Sequence, residues 1–132
     1  MADSVVRLAA GPLELELSPS IGGAISRFQY VGDGGRTPIL RESHTCPAKV
    51  LDAGSFPLVP FVNRIRGGAL SFRGRTGRLA PNMAGDASPL HGQGWLNAWD
   101  VEAAGAAVAT LRYRHAVGEW PWDYEAVQHF SL

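Results

Sequence analysis

Leu13-Glu14-Leu15-Glu16-Leu17 alternates apolar and acidic residues without a break. A period of two puts the leucines on one face of a strand and the glutamates on the other. Gly11-Pro12 turns the chain into this strand, and the stretch from Pro19 to Gly23 turns it out. Ala24 to Tyr30 reads as the returning strand, closed by the loop signal Val31-Gly32-Asp33-Gly34-Gly35. The pattern recurs along the chain. Leu70 and Phe72 alternate with Ser71 and Arg73 between Gly68 and Gly74, Val108 to Arg114 forms another strand, and Tyr124 to Leu132 alternates through Ala126, Gln128 and Phe130. The alanine-rich Val101 to Ala109 invites a helix, but Gly105 interrupts it and no capping residue opens it, so it is read as strand, turn and strand. Short strands with almost no helix imply an all-β sandwich or barrel.

Sixteen glycines and nine prolines are spread over the 132 residues, a density that breaks helices and suits turns between strands. That length supports one domain, residues 1–132, with a modest core. The last strand is still alternating at Leu132 with no polar tail, so the chain is expected to be the front of a longer pattern. Twelve basic and twelve acidic residues cancel, which excludes the positive footprint of a nucleic-acid binder. A lone Cys46 allows no internal disulfide and fits a reducing compartment. The N-terminus has no signal-peptide pattern and no apolar run is long enough to span a membrane, so a cytoplasmic protein is expected. His44 and Cys46 offer two metal ligands without a partner pair, short of a zinc site, and no phosphate loop or dinucleotide fingerprint occurs.

Three stretches hold residues that a plain sandwich does not require. In Gly54 to Gly68, Pro57 and Pro60 keep the segment out of any central ladder, and Asn63 and Arg64 are expected at a sheet rim. An amide with both donor and acceptor beside a rigid fork of donors suits the vicinal hydroxyls of a sugar, although such an arginine more often ties down a loop. In Pro89-Leu90-His91-Gly92-Gln93-Gly94-Trp95-Leu96-Asn97-Ala98-Trp99, His91 sits beside glycines that admit close approach and is the natural donor near neutral pH. Trp95 is read as offering its face to a pyranose and its indole N–H to a hydroxyl, with a place in the core as the alternative; Trp99 is read as core. Trp120-Pro121-Trp122-Asp123-Tyr124-Glu125 has the look of a sugar platform with carboxylates, but it precedes a strongly alternating strand and is assigned to packing at a sheet corner. His115 and Glu119 are taken as loop residues, and His129 falls on the solvent or rim face of its strand.

Asn63-Arg64-Ile65, then Pro89-Leu90-His91-Gly92 with Gly94-Trp95 and Trp99, then Trp120-Pro121-Trp122 and Tyr124 follow one order and spacing that resembles the aldose 1-epimerase family, in particular its bacterial galactose-mutarotase-like branch. The resemblance implies a galactose mutarotase-like antiparallel β-sandwich (a supersandwich), incomplete in this chain. It implies interconversion of the α and β anomers of an aldohexose, with neither metal nor organic cofactor. In that family a carboxylate takes the proton from the C1 hydroxyl while a histidine protonates the ring oxygen. By match, Arg64 binds sugar hydroxyls, and His91 bonds near the ring oxygen and supports its protonation. Family members are more than twice this length, and their second histidine, sugar-binding aspartate and glutamate base have no counterpart here. His91-Gly92-Gln93 also departs from the more frequent His-Gly-Gly.

Two other readings compete. A hexose-6-phosphate epimerase on the same fold needs extra cations, for which Arg66, Arg73 and Arg75 are available, although Asn63-Arg64-Ile65 looks more like the branch acting on unphosphorylated sugars. A non-catalytic carbohydrate-binding or regulatory protein would keep Arg64 and His91 without a base.

Overall fold

The computed structural model describes residues 5–43 and 47–132, over which the chain forms nine strands and three single-turn 3-10 segments. Strands β1 (Val6–Ala10), β2 (Leu13–Ser18), β3 (Ala24–Gly32) and β4 (Gly35–Pro38) make an antiparallel meander. A hairpin of β5 (Ala69–Phe72) and β6 (Arg75–Arg78) follows. A second meander consists of β7 (Asp100–Ala104), β8 (Val108–His115) and β9 (Tyr124–Ser131).

The alternation in β2 does what its period requires. Leu15 and Leu17 are buried and join Val6 and Leu8 of β1. From the opposite sheet come Ala109, Leu111 and Tyr113 of β8, with Trp99 just before β7, so the two meanders close on one apolar core. Each fully buried leucine contributes about 1.5–3 kcal/mol. The other face of β2 collects charge, Glu16 taking Arg7 and Arg27 and Glu14 taking Gln29 and Arg36. At one edge the Ala9 N–H donates to the Ala106 carbonyl at 2.8 Å, tying β1 to the β7–β8 turn.

The expected strands are all present, and Val101 to Ala109 is strand, turn and strand. Three strands were not anticipated: β1, β4 and the polar β6. The glycine-rich stretch after Tyr30 is less of a loop than expected, because β3 runs on to Gly32 and β4 begins at Gly35, leaving Asp33-Gly34 as a tight turn. His115, expected in a loop, is the last residue of β8. His129 is exposed on β9 and bonds Thr110. His44 and Cys46 lie outside the described residues. Among those described, no helix is long and apolar enough to cross a membrane.

The segment between the two meanders packs differently. A second core of Ala24, Val50, Ala53, Leu90 and Trp95, with Ile21, Phe56 and Met83 against it, anchors the loops that carry Asn63, Arg64 and His91. Phe61 stacks on Trp120, Trp120 meets Trp122 edge-on, and Trp122 meets Phe72. This is the corner packing expected of Trp120 and Trp122, and it fastens the β5–β6 hairpin to the turn before β9.

Candidate functional site

Two stretches far apart in sequence run side by side. Val59 pairs with Gly92 and Arg64 with Leu90 as isolated bridges, and the Ile65 N–H donates to the Pro89 carbonyl at 3.3 Å. The Val59–Pro60 peptide is cis. Gly92 has φ +69, and a Cβ there would run into Pro60 and the Val59 carbonyl, so only glycine fits this crossing. Asn63 and His91 both occupy the left-handed region, at φ 68 and 59. Side-chain residues held there need support from their surroundings, and such positions concentrate at functional sites.

The support is reciprocal. The His91 N–H donates to the Asn63 carbonyl, and the Asn63 N–H donates to His91 Nδ1, both at 2.8 Å. A ring nitrogen that accepts a backbone N–H carries no proton, so the imidazole proton resides on Nε2. Partial burial, and then the nearby Arg64 guanidinium, lower the His91 pKa. Both causes disfavour the imidazolium. His91 is therefore a neutral ring presenting a single donor, Nε2–H.

Arg64 lies next to it with its side chain 53% exposed. Its Nε pairs with Asp86 Oδ2, and its Nη1 donates to Asn63 Oδ1 at 3.0 Å. A guanidinium has five N–H groups, so three remain for a ligand. The other oxygen of Asp86 accepts the Ser88 N–H at 3.0 Å. That bond and the Arg64 contact hold its pKa below the ordinary carboxylate value. Asp86 is thus an ionised, weakly basic anchor for Arg64.

Sequence reasoning placed Trp95 against a sugar, and the structure corrects this. Trp95 is 1% exposed, and its indole N–H points at the Leu90 and Gly92 carbonyls at 3.0 and 3.1 Å. Its faces are in the second core, against Phe56, and the His91 ring meets it edge-on at 5.8 Å. Neither face nor donor is left for a ligand. Trp95 instead fixes the peptide units that flank His91. Asn82 does the same: its Oδ1 accepts the Leu90 N–H at 2.7 Å, and its Nδ2 donates to the Leu90 and Gly92 carbonyls at 2.8 and 3.3 Å. Neither Asn82 nor Asp86 was anticipated. Pro81-Asn82-Met83-Ala84-Gly85-Asp86-Ala87-Ser88 mixes polar and apolar residues without a period or motif that would single them out.

Trp99 is core, as expected, and its N–H caps the Gly94 carbonyl at 2.8 Å. Asn63, Arg64 and His91 are together. Asp123 is exposed, and Glu125 is occupied by Arg112 and Arg114 on the outer face of β8 and β9. His115 stacks on Tyr124 with ring centroids 5.1 Å apart and meets the Tyr113 hydroxyl through Nδ1 at 3.2 Å, while the Tyr124 hydroxyl donates to Gln93 Oε1 at 2.8 Å. A cavity of about 130 Å³ is lined in part by Phe61, Asn82, Gly92, Gln93 and Glu119, and not by Asn63, Arg64 or His91.

The chain is similar to known proteins over nearly its whole length. The family model described as aldose 1-epimerase matches residues 6–132. The Escherichia coli K12 protein YphB, for which no activity is described, is 36% identical over 129 residues, spanning 98% of this chain and 42% of its own length. A solved Escherichia coli K12 structure described as a candidate aldose 1-epimerase superposes with a TM-score of 0.85 at 36% identity, covering 98% of this chain and 42% of that one. The GalM/aldose epimerase homologue from C. elegans superposes at 0.79 with 20% identity, over 99% of this chain and 42% of that one, a likeness of fold alone. The chain spans less than half the length of these relatives.

Proposed function

Since the chain belongs to the aldose 1-epimerase family, we propose that it supplies the sugar-orienting half of a site that interconverts the α and β anomers of an aldohexose. The observation that carries this reading is the Asn63 N–H on His91 Nδ1, which leaves Nε2–H as the donor of a neutral ring whose neighbour Arg64 also bonds Asn63. Anomer exchange requires a proton to leave O1 and another to reach O5 as the C1–O5 bond breaks. The open aldehyde then rotates about C1–C2 and recloses. In this reading Arg64 binds ring hydroxyls, and His91 donates a hydrogen bond to the ring oxygen, stabilising charge that grows there as the ring opens.

A histidine fixed as an Nε2–H donor polarises the ring oxygen without giving up its proton, so the proton itself comes from a second acid. Nor is Asp86 the base. A carboxylate held below its usual pKa by an arginine and a backbone N–H takes protons poorly at neutral pH. Our reading leaves acid and base to the part of the relatives that this chain does not span. It takes a cytoplasmic protein acting on a free sugar, with no nucleic-acid or membrane partner and no cofactor. The same geometry without acid or base is a sugar-binding module, and the engagement of Asp86 by Arg64 and the Ser88 N–H supports that second reading for the 132 residues alone.

Polarimetry on α-glucose and α-galactose, corrected for the spontaneous rate, separates the two. The 132-residue chain is expected to add little to that rate. In a chain extended to the relatives' length, His91→Ala should lower kcat by roughly 10²–10³-fold. Arg64→Ala should raise KM at least as much as it lowers kcat, since hydroxyl contacts persist from ground to transition state. Robust turnover by the short chain would overturn the division of roles.

A further inference from the structure

The outer face of the first meander is hollow at one point. The strand register sets two rows across it, Arg7, Glu16 and Arg27 in one, and Ala9, Glu14 and Gln29 in the other. Long side chains fill the first row, whereas Ala9 leaves a gap at the end of the second. Ala106 lies beside that gap, since the Ala9 N–H donates to the Ala106 carbonyl at 2.8 Å, and both alanines are exposed. A cavity of about 370 Å³ occupies this place, with Ala9 and Ala106 in its lining and Arg7, Glu14, Glu16, Arg27 and Arg36 around it. Neither Arg64 nor His91 lines it.

The charged groups around the hollow are unevenly used. Glu16 is only 8% exposed, and it takes Arg7 Nε and Arg27 Nη1 on the same oxygen, Oε1, each at 3.3 Å. Its Oε2 is buried with no partner among the described residues. Arg27 Nε is also buried without a hydrogen bond, standing 4.0 Å from Glu42. Glu14 accepts Gln29 and Arg36 on a single oxygen too. An unpaired oxygen on a buried carboxylate is costly, and a ligand hydroxyl that donates to it removes that cost. Arg7 is the loosest of the surrounding groups, because its side chain is 63% exposed and holds Glu16 through Nε alone. An exposed pair of this kind opens at little cost.

We propose that this hollow is a second ligand site, separate from Arg64 and His91, and that it takes a neutral pyranose. Such a ring has an apolar C–H face and a rim of hydroxyls that both donate and accept. Ala9 and Ala106 give the face an apolar surface to lie on. Glu16 Oε2 accepts from one hydroxyl once Arg7 turns outward, and Arg7 and Arg27 donate their unspent N–H groups to the next. The volume is within the range of small-molecule sites. Charge selects a neutral ligand. An anion meets Glu14 and Glu16, a cation meets the three arginines, and a hydroxyl serves both. The proposal does not depend on the reading of Arg64 and His91, with which the hollow shares no residue.

The test is a ¹H–¹⁵N NMR titration of the 132-residue chain with galactose, glucose and inorganic phosphate. At least one of the two sugars should shift the Ala9 and Ala106 amides and the Arg7 and Arg27 Nε–H signals along a saturable curve. Ala9→Leu fills the hollow from an exposed strand position and should abolish those shifts. Glu16→Gln should weaken the same curve by about tenfold, since a charged acceptor is exchanged for a neutral one. If Glu16→Gln fails to fold, Ala9→Leu decides alone. The absence of a saturable shift at these groups with either sugar overturns the proposal, as does a shift that persists unchanged in Ala9→Leu. Phosphate giving the same curve as the sugars also overturns it and would mark an ion patch. The Asn63 and His91 signals in the same spectra report on the sugar-orienting site, and the result at either site is independent of the other.

Discussion

The β7–β8–β9 meander and the loops around His91 are built on opposite plans. In the meander every residue from Val108 to His115 faces a partner on β9, and the backbone satisfies itself from strand to strand. Side chains there only choose a face: Ala109, Leu111 and Tyr113 turn inward, while Arg112 and Arg114 meet Glu102 and Glu125 outside. Around His91 there is no such ladder. The peptide groups of Leu90 and Gly92 are held by side chains from Asn82 and Trp95, and the Asn63 N–H is held by the imidazole itself. A sheet spreads its hydrogen bonding over many interchangeable residues, whereas this loop depends on a few that are not interchangeable.

The contrast is most sharply tested at glycine. Gly92→Ala places a Cβ against Pro60 and the Val59 carbonyl at a positive φ, and should cost about 3 kcal/mol or more in urea unfolding. Gly74→Ala, at the tip of the β5–β6 hairpin, has a similar φ of +76 but open space around it. It should cost about 1 kcal/mol, the backbone strain alone. Equal costs for the two would mean that the crossing of the loops is not rigid.

Asn82→Ala comes next, with an expected loss of about 1–3 kcal/mol, because it strips partners from the amide and carbonyl of Leu90. Its more informative readout is spectroscopic. Ring ¹⁵N shifts should report His91 as an Nε2–H tautomer in the unaltered chain and as a mixture in the variant. An unmixed tautomer in Asn82→Ala would show that Asn63 alone holds the ring. The smallest effect belongs to the sheet surface: Glu125→Ala should cost under about 1 kcal/mol, since Arg112 and Arg114 keep Glu102. A larger loss there would show that the outer charges of the meander are as irreplaceable as the loop contacts.

This division also explains what could be read from sequence. The leucines of β2 and the alternation of β9 are legible because burial writes a period of two into neighbouring residues. Strand β6 escaped because Arg75-Thr76-Gly77-Arg78 has no apolar face to bury, and β4 because Gly35 was taken as the end of a loop rather than the start of a strand. Asn63, Arg64 and His91 were singled out from residue type and order, and the structure brings them together. Trp95 was misassigned because an indole next to a histidine reads the same whether its N–H serves a ligand or a carbonyl. The choice depends on Leu90 and Gly92 carbonyls whose direction is set by a chain crossing at Val59. Asp86 and Asn82 were missed for the same reason, their partners lying across that crossing or around the turn that leads to it.

The Asn63 amide on His91 Nδ1 also decides how this residue meets electrophiles. Alkylating reagents attack whichever imidazole nitrogen offers a lone pair, and a free histidine yields a mixture of two isomers. In the folded chain the Nδ1 lone pair is already directed into an N–H at 2.8 Å. Modification of His91 should therefore be slow while the loops are joined, because Nε2 carries the proton and Nδ1 is engaged, and its extent in a digest becomes a chemical record of whether the two loops were joined when the reagent arrived.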